Sequence, residues 1–276
     1  MSNRTPVVFV HGLWVHASAW SPWAALFERE GFDPIVVGWP GDRSTVEETR
    51  RDGDAVANRG VDDVVAHYAD LIETLSKPPV VVGHSFGGLV AQRLLDEGRA
   101  AAAIAIDPAP ILGVTALPLS QIRSTLPVLR NRRNRERAVA LTERQFRYAI
   151  ANAIPRLEAR DLFDRYAIPA PGRPLFELFR AAKDPQTPLK VNLSNHRRGP
   201  LLIIGGGRDH IVAERVTRQA ASLHSASRAV TDYHVFPDRG HSMIMDSGWR
   251  DVADLVLEWM ARHPVSHGRP AQEVEA

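Results

Sequence analysis

Gly83-His84-Ser85-Phe86-Gly87 decides the fold, read together with Pro79-Val80-Val81-Val82 before it and Gly88-Leu89-Val90-Ala91-Gln92-Arg93-Leu94-Leu95 after it. The upstream run is short, continuous and β-branched, as a strand buried on both faces requires. The downstream run has helical spacing and stops at Gly98, a residue suited to the left-handed position that closes a helix. Between them, Gly-x-Ser-x-Gly marks a sharp strand-to-helix turn. A serine on such a turn projects its hydroxyl above the sheet, and the N–H of Phe86 opens a helix that can face an anion. Ser85 is therefore a candidate nucleophile, weighed against a plain glycine-rich turn that contains a serine.

Further strand patterns occur at Val7–Val10, Pro34–Val37, Val80–Val82 and Ala102–Ile106, separated by helical patterns at Trp20–Glu30 and Val61–Leu75. They resume at Leu201–Ile204 and Val230–Phe236, followed by a last amphipathic helix over Trp249–His263. This alternation predicts an α/β fold with a mostly parallel sheet and helices on both faces. Residues 108–199 break it, with prolines and helical segments near Leu117–Arg130 and Leu175–Ala182. A third helix opens at Thr142, where Thr142 and Gln145 can form a capping box. The expected organisation is a core of residues 1–107 and 200–263, a mainly helical cap inserted at 108–199, and a flexible tail over 264–276. A cap in that place covers the strand ends, where open α/β sheets bind ligands. Arg197 and Arg198 fit a hinge between cap and core.

A serine hydroxyl needs a base, and the base needs an orienting carboxylate. His241, in Gly240-His241-Ser242 beyond the last predicted strand, is the candidate base. Asp209, in Gly207-Arg208-Asp209-His210, is the candidate carboxylate. Asp107, which ends another strand before Pro108, competes with it or serves as a turn-capping residue. An oxyanion needs two preorganised donors. Phe86 offers one backbone N–H and Leu13, in His11-Gly12-Leu13-Trp14, the other. His11 reads as a structural histidine. Trp14 and His84 are candidates for the substrate pocket, although His84 also reads as packing beside the turn.

These residues taken together resemble a serine hydrolase of the α/β-hydrolase superfamily. The resemblance rests on Val10-His11-Gly12, Gly83-His84-Ser85-Phe86-Gly87-Gly88, Asp209 and Gly240-His241, and spans everything except the cap and tail. It implies an α/β-hydrolase fold of cap-bearing bacterial esterase type, and the order Ser85, Asp209, His241 is that of the family's catalytic triad. Relatives that are haloalkane dehalogenases or epoxide hydrolases carry aspartate at the turn, so Ser85 argues against both. His11-Gly12-Leu13-Trp14-Val15-His16-Ala17-Ser18-Ala19-Trp20 is similar to the opening of plant methylesterases and hydroxynitrile lyases. The lyases use a lysine near the catalytic histidine, and Lys77, Lys183 and Lys190 all lie outside that motif. Where many relatives have Asp-x-Pro-Gly, this chain has Trp39-Pro40-Gly41-Asp42.

Composition narrows the function classes. A net charge of +2 over 276 residues gives no electrostatic support for nucleic-acid binding. The absence of cysteine excludes disulfides and thiolate chemistry. No apolar run reaches the length of a membrane span and no signal-like segment precedes Val7, so a cytoplasmic location is expected. The run Arg130–Arg137 reads as a solvated cap edge. The leading expectation is cleavage of a carboxylic ester, lactone or thioester of a small, partly apolar molecule through an acyl-Ser85 intermediate, with no metal or organic cofactor. The competing expectations are perhydrolysis, acyl transfer or lyase chemistry on the same triad, and a non-catalytic ligand receptor.

Overall fold

Strands made of apolar residues on both faces bury themselves only when helices cover both sides of the sheet, and that arrangement organises this molecule. The structure is a computed structural model describing residues 4–264; residues 265–276, nearly all of the expected tail, lie outside the described residues. Its strands are β1 (Pro6–Val10), β2 (Asp33–Val36), β3 (Val80–His84), β4 (Ala102–Ile106), β5 (Ala138–Val139), β6 (Ala170–Pro171), β7 (Leu201–Gly206) and β8 (Thr231–Phe236). Six of them form one sheet in the order β2-β1-β3-β4-β7-β8, and every pairing within it is parallel. Every residue of β1, β3, β4 and β7 is buried.

The helices are α1 (Ser21–Arg29), α2 (Val46–Arg51), α3 (Val61–Glu73), α4 (Phe86–Asp96), α5 (Leu119–Leu129), α6 (Glu143–Ala149), α7 (Arg156–Tyr166), α8 (Arg173–Arg180), α9 (Glu214–Leu223) and α10 (Trp249–Arg262). Helix α4 packs on β3 and β4, and α9 packs on β7 and β8. Helix α1 meets α10 where the rings of Trp23 and Trp249 lie 6.1 Å apart. Phe9 of β1 packs against Trp20, Trp23 and Phe27, so Trp20 and Trp23 belong to the core. None of the described helices is long and apolar enough to cross a membrane.

From β1 the chain steps to β2 on one side, then returns to add β3 on the other. The switch in direction opens a crevice beyond the carboxyl ends of β1 and β3, where open parallel sheets bind ligands. The loops after these two strands carry Leu13 and Ser85.

The stretch between β4 and β7 holds α5 to α8 and a two-residue antiparallel ribbon, β5 with β6. Thr142 Oγ1 accepts from the Gln145 N–H and Gln145 Oε1 accepts from the Thr142 N–H, the expected capping box. Helix α5 turns Gln121, Ser124, Thr125 and Val128 inward, while Leu119 and Leu126 are 82% and 52% exposed. Its polarity is inverted relative to an ordinary surface helix. Arg198 departs from the hinge expectation. It is buried, and its guanidinium donates to the carbonyls of Gly199 and Val230 and to Thr231 Oγ1. A charge taken out of water needs such partners, so Arg198 clamps the entry to β7 against β8.

Candidate active site

Ser85 has φ 58° and ψ −122° and occupies the N-cap of α4. Backbone held in a sparsely populated region of this kind costs about 1–3 kcal/mol and persists only where its surroundings fix it. Here the fixing is close packing. A Cβ on Gly83 would stand 1.9 Å from the Gly87 carbonyl oxygen, and one on Gly87 would stand 2.1 Å from that of Val10. The Ser85 N–H donates to the Ile106 carbonyl, and the Ser85 carbonyl accepts from Gly88, Leu89 and Ala109. The serine is thereby tied to β4 on one side and to its own helix on the other.

Four non-glycine residues among those described have left-handed φ: Trp14, Asn58, Ser85 and Asp107. Three of the four follow the ends of β1, β3 and β4, so strain gathers around the crevice.

His241 and Asp209 come together after β8 and β7. His241 Nδ1 lies 2.5 Å from Asp209 Oδ2. Asp209 Oδ1 accepts the N–H groups of Ile211 and Val212 at 2.7 and 2.8 Å, which holds the carboxylate in one orientation. Asp107 Oδ2 is farther from His241 Nδ1, at 3.9 Å. The other Asp107 oxygen accepts the Gly206 N–H at 2.6 Å, linking the end of β4 to β7.

Burial pushes the His241 imidazole down to about 3, so it is neutral at neutral pH and able to take a proton. Burial raises Asp209 to about 7, against the backbone N–H groups that favour its charge. Burial and the neighbouring Asp209 raise Asp107 well above the usual carboxylate range. The two carboxyls interact, and Asp209, with two donors on one oxygen and the imidazole on the other, ionises first. Burial holds Asp107 toward its protonated form.

His84 lies outside the pocket for which Trp14 and His84 are the sequence candidates. It is the last residue of β3, and its ring packs 4.4 Å from that of His241. Its Nε2–H donates to the His241 carbonyl at 2.9 Å. Burial and the neighbouring His241 lower its pKa well below the usual histidine range, so it packs as a neutral ring behind the His241 imidazole. Ligand atoms of His84, Asp107 and His241 lie within 4.8 Å of one another. His84 Nε2 donates to a carbonyl and His241 Nδ1 is engaged by Asp209, while His84 Nδ1 and Asp107 Oδ2 are buried without a hydrogen-bond partner.

Trp14 does line the pocket. A narrow cavity is walled by Leu13, Trp14, Ser85 and Phe86 from the sheet loops and by Gln121, Thr125 and Leu178 from the insertion. Among the described residues, no hydrogen-bond acceptor meets the N–H of Leu13 or of Phe86. Gly12 lets these groups approach, since a Cβ there would lie 2.5 Å from Ser85 Cβ. His11 is structural. Its Nε2 lies 2.9 Å from Asp42 Oδ2, and the Trp39 indole donates to its carbonyl at 2.9 Å. Asp42 Oδ2 also accepts the Trp39 N–H, which accounts for aspartate at the end of Trp39-Pro40-Gly41-Asp42: it folds back to hold the turn. Gln121 is a lining residue that sequence reasoning misses. The available signal is polar residues at 121, 124 and 125, a helical stripe, with leucines at 119 and 126 off it.

Solved structures of similar fold span nearly the whole chain. A thermophilic esterase from Thermogutta terrifontis aligns at 19% identity and TM-score 0.66, covering 96% of this chain and 91% of its own. A putative non-heme bromoperoxidase from Mycobacterium tuberculosis aligns at 21% and 0.65, covering 95% and 94%. A methylesterase from Arabidopsis aligns at 18% and 0.62, covering 94% and 99%. At these identities the likeness is one of fold. No curated protein matches the sequence. A sequence model of the alpha/beta hydrolase family matches residues 7–255, both halves of the sheet and the insertion between them, and the chain belongs to that family.

Proposed function

We propose that the protein is a serine hydrolase that cleaves a carboxylic ester, lactone or thioester of a small, partly apolar substrate. One observation carries this reading: Ser85, strained at the head of α4, shares a buried apolar chamber with two acceptor-free backbone N–H groups, Leu13 and Phe86. A hydroxyl beside two unpaired donors suits a carbonyl whose oxygen becomes negative on attack.

In the proposed sequence, Ser85 Oγ adds to the substrate carbonyl carbon while His241 takes the hydroxyl proton. Asp209 stabilises the imidazolium through Nδ1–H, and the Leu13 and Phe86 N–H groups hold the oxyanion. Collapse breaks the bond to the leaving oxygen or sulfur, which receives the proton from His241, and Ser85 keeps the acyl group. Water then adds to the acyl carbon, giving its proton to His241, and the carboxylic acid departs as Ser85 is restored. Esterase and methylesterase names among proteins of like fold fit this chemistry. The insertion acts as a cap, because Gln121, Thr125 and Leu178 close the chamber from above.

The test is labelling with a fluorophosphonate, followed by assay on a panel of esters and lactones, each repeated on Ser85→Ala. Stoichiometric labelling and turnover that both vanish in the variant are expected. Absence of Ser85-dependent labelling would remove the acyl-enzyme. Labelling with no turnover on any ester would favour a ligand receptor or transfer to an acceptor other than water.

A further inference from the structure

Resting on that reading, and deepening it, we infer that Gln121 selects substrates that carry a hydrogen-bond donor, a hydroxyl or an N–H, partway along an otherwise apolar acyl or alcohol chain.

The polar groups that wall the Ser85 chamber can be accounted for one by one. Ser85 is the nucleophile. The Trp14 indole N–H is spent on the Val139 carbonyl at 3.0 Å. The Thr125 hydroxyl is turned back into its own helix, donating to the Gln121 carbonyl at 2.9 Å. That leaves the Gln121 carboxamide. Gln121 is 3% exposed, and its Oε1 is buried with no hydrogen-bond partner. A buried acceptor left open is costly in folding and calls for an explanation.

Gln121 also stands between two spaces. Beyond the chamber lies a larger pocket of about 540 Å³, open to solvent and reaching Leu117 and Phe179 at the surface. Pro110, Gln121 and Leu178 line both. They form the wall that the two spaces share. The outer pocket is mostly apolar, and its Thr115 hydroxyl already accepts from the Gln219 amide. A ligand that spans the two meets apolar walls, then one open acceptor, then apolar walls again. The Oε1 has already lost its water on folding, so a donor placed opposite it gains the bond without a second loss on the protein side. A plain alkyl chain leaves the acceptor unpaired. Helix α5 turns this residue inward while Leu119 and Leu126 face solvent, so its inward polar face is maintained against the ordinary gain from burying leucine.

The experiment walks a hydroxyl along a fixed chain. Methyl octanoate and methyl hydroxyoctanoates substituted at successive carbons are assayed for kcat/KM with the full-length protein. The same compounds are titrated calorimetrically into Ser85→Ala protein, whose binding does not depend on turnover. One hydroxyl position should be preferred over the parent ester by on the order of tenfold or more, in both turnover and binding. In Gln121→Leu, and in the longer Gln121→Met, the ratio of that compound to methyl octanoate should collapse toward one. Thermal unfolding of both variants verifies that they are folded. Turnover without a preferred position, or a preference that survives both substitutions, overturns the role of Gln121 and leaves the serine hydrolase standing. A Gln121-dependent binding preference in protein that neither labels nor turns over would keep the inference and remove the hydrolase.

Discussion

The sheet and the insertion are built on different terms. In the sheet, β1, β3, β4 and β7 are buried along their whole length. The insertion carries a ribbon of two-residue strands, a helix with its polar stripe inward, and four leucines more than half exposed: Leu117, Leu119, Leu126 and Leu157. Full burial of one aliphatic side chain stabilises by about 1.5–3 kcal/mol, so the sheet is fixed in one register and fixes whatever hangs from its strand ends. The insertion gives up part of that stabilisation to present a polar group inward. On the proposed function the difference is a division of labour: the sheet sets the positions of the reacting groups, and the insertion sets what reaches them.

The sharpest way to break this division is to ask which carboxyl on the sheet rim the base depends on. His241→Ala is expected to lower kcat/KM by 10⁴-fold or more, on the order of the loss seen when a triad member is removed. Asp209→Asn should cost on the order of 10⁴-fold, because an amide in that place favours the wrong imidazole tautomer. Asp107→Asn should cost less than about tenfold, since Asp107 lies 3.9 Å from the imidazole and an amide can still accept the Gly206 N–H. Steady-state rates on one ester decide it, and a larger loss at 107 than at 209 would reverse the assignment.

Next in size is Gly12→Ala. Its Cβ would lie 2.5 Å from Ser85 Cβ and 3.0 Å from the His84 carbonyl oxygen, displacing the loop that carries Leu13. Loss of one oxyanion donor costs about 10²–10³-fold in kcat, and that is the fall expected, with KM little changed. A rise in KM with kcat preserved would place the loop in ground-state binding instead.

Stability should separate the two regions as clearly as rate does. Leu94→Ala, in the fully buried face of α4, is expected to cost about 2–5 kcal/mol in urea unfolding. Leu119→Ala, on the exposed face of α5, should stay within about 0.5 kcal/mol. Comparable losses at the two sites would mean that Leu119 is covered in solution.

How much of this is legible in the sequence follows the same division. The strands announce themselves because burial on both faces demands unbroken apolar runs, and Val80–Val82 or Leu201–Ile204 offer no competing pattern. The half-buried β2 is less distinct: expected at Pro34–Val37, it spans Asp33–Val36, with Asp33 bonded to Thr5 at the sheet edge. Ser85, Asp209 and His241 stand in the sequence because glycines and strand ends bracket them. Asp42 and Gln121 do not, since each matters through a partner, or the lack of one, far from it in the chain. Helices α7 and α9 leave no clear trace either. Charged and polar residues outnumber the few apolar ones each turns inward, so neighbours hold them rather than their own patterns. The fold and the candidate site are written locally, and the side chains that act through distant partners are written in tertiary contacts.

The smallest expected effect lies at the seam where the insertion rejoins the sheet. His224 is buried at the end of α9, its Nε2–H donating to Gln92 Oε1 of α4 at 2.9 Å. Burial first, and then the positive charge of Arg198, lower its pKa to about 4. The folded protein therefore keeps His224 neutral at pH values where the unfolded chain, with a histidine pKa of about 6.5, already binds a proton. The resulting stability is fully present above about pH 6.5 and is lost as pH falls toward 4. The slope is at most about 1.4 kcal/mol per pH unit. His224→Gln retains a donor for Gln92 and removes the titration. The stability difference between pH 7 and pH 5, measured by urea unfolding, should therefore shrink by about 2 kcal/mol in the variant. Identical acid slopes in the two proteins would show that the seam admits water and a proton, and that the sheet's dry interior stops short of the point where the insertion joins it.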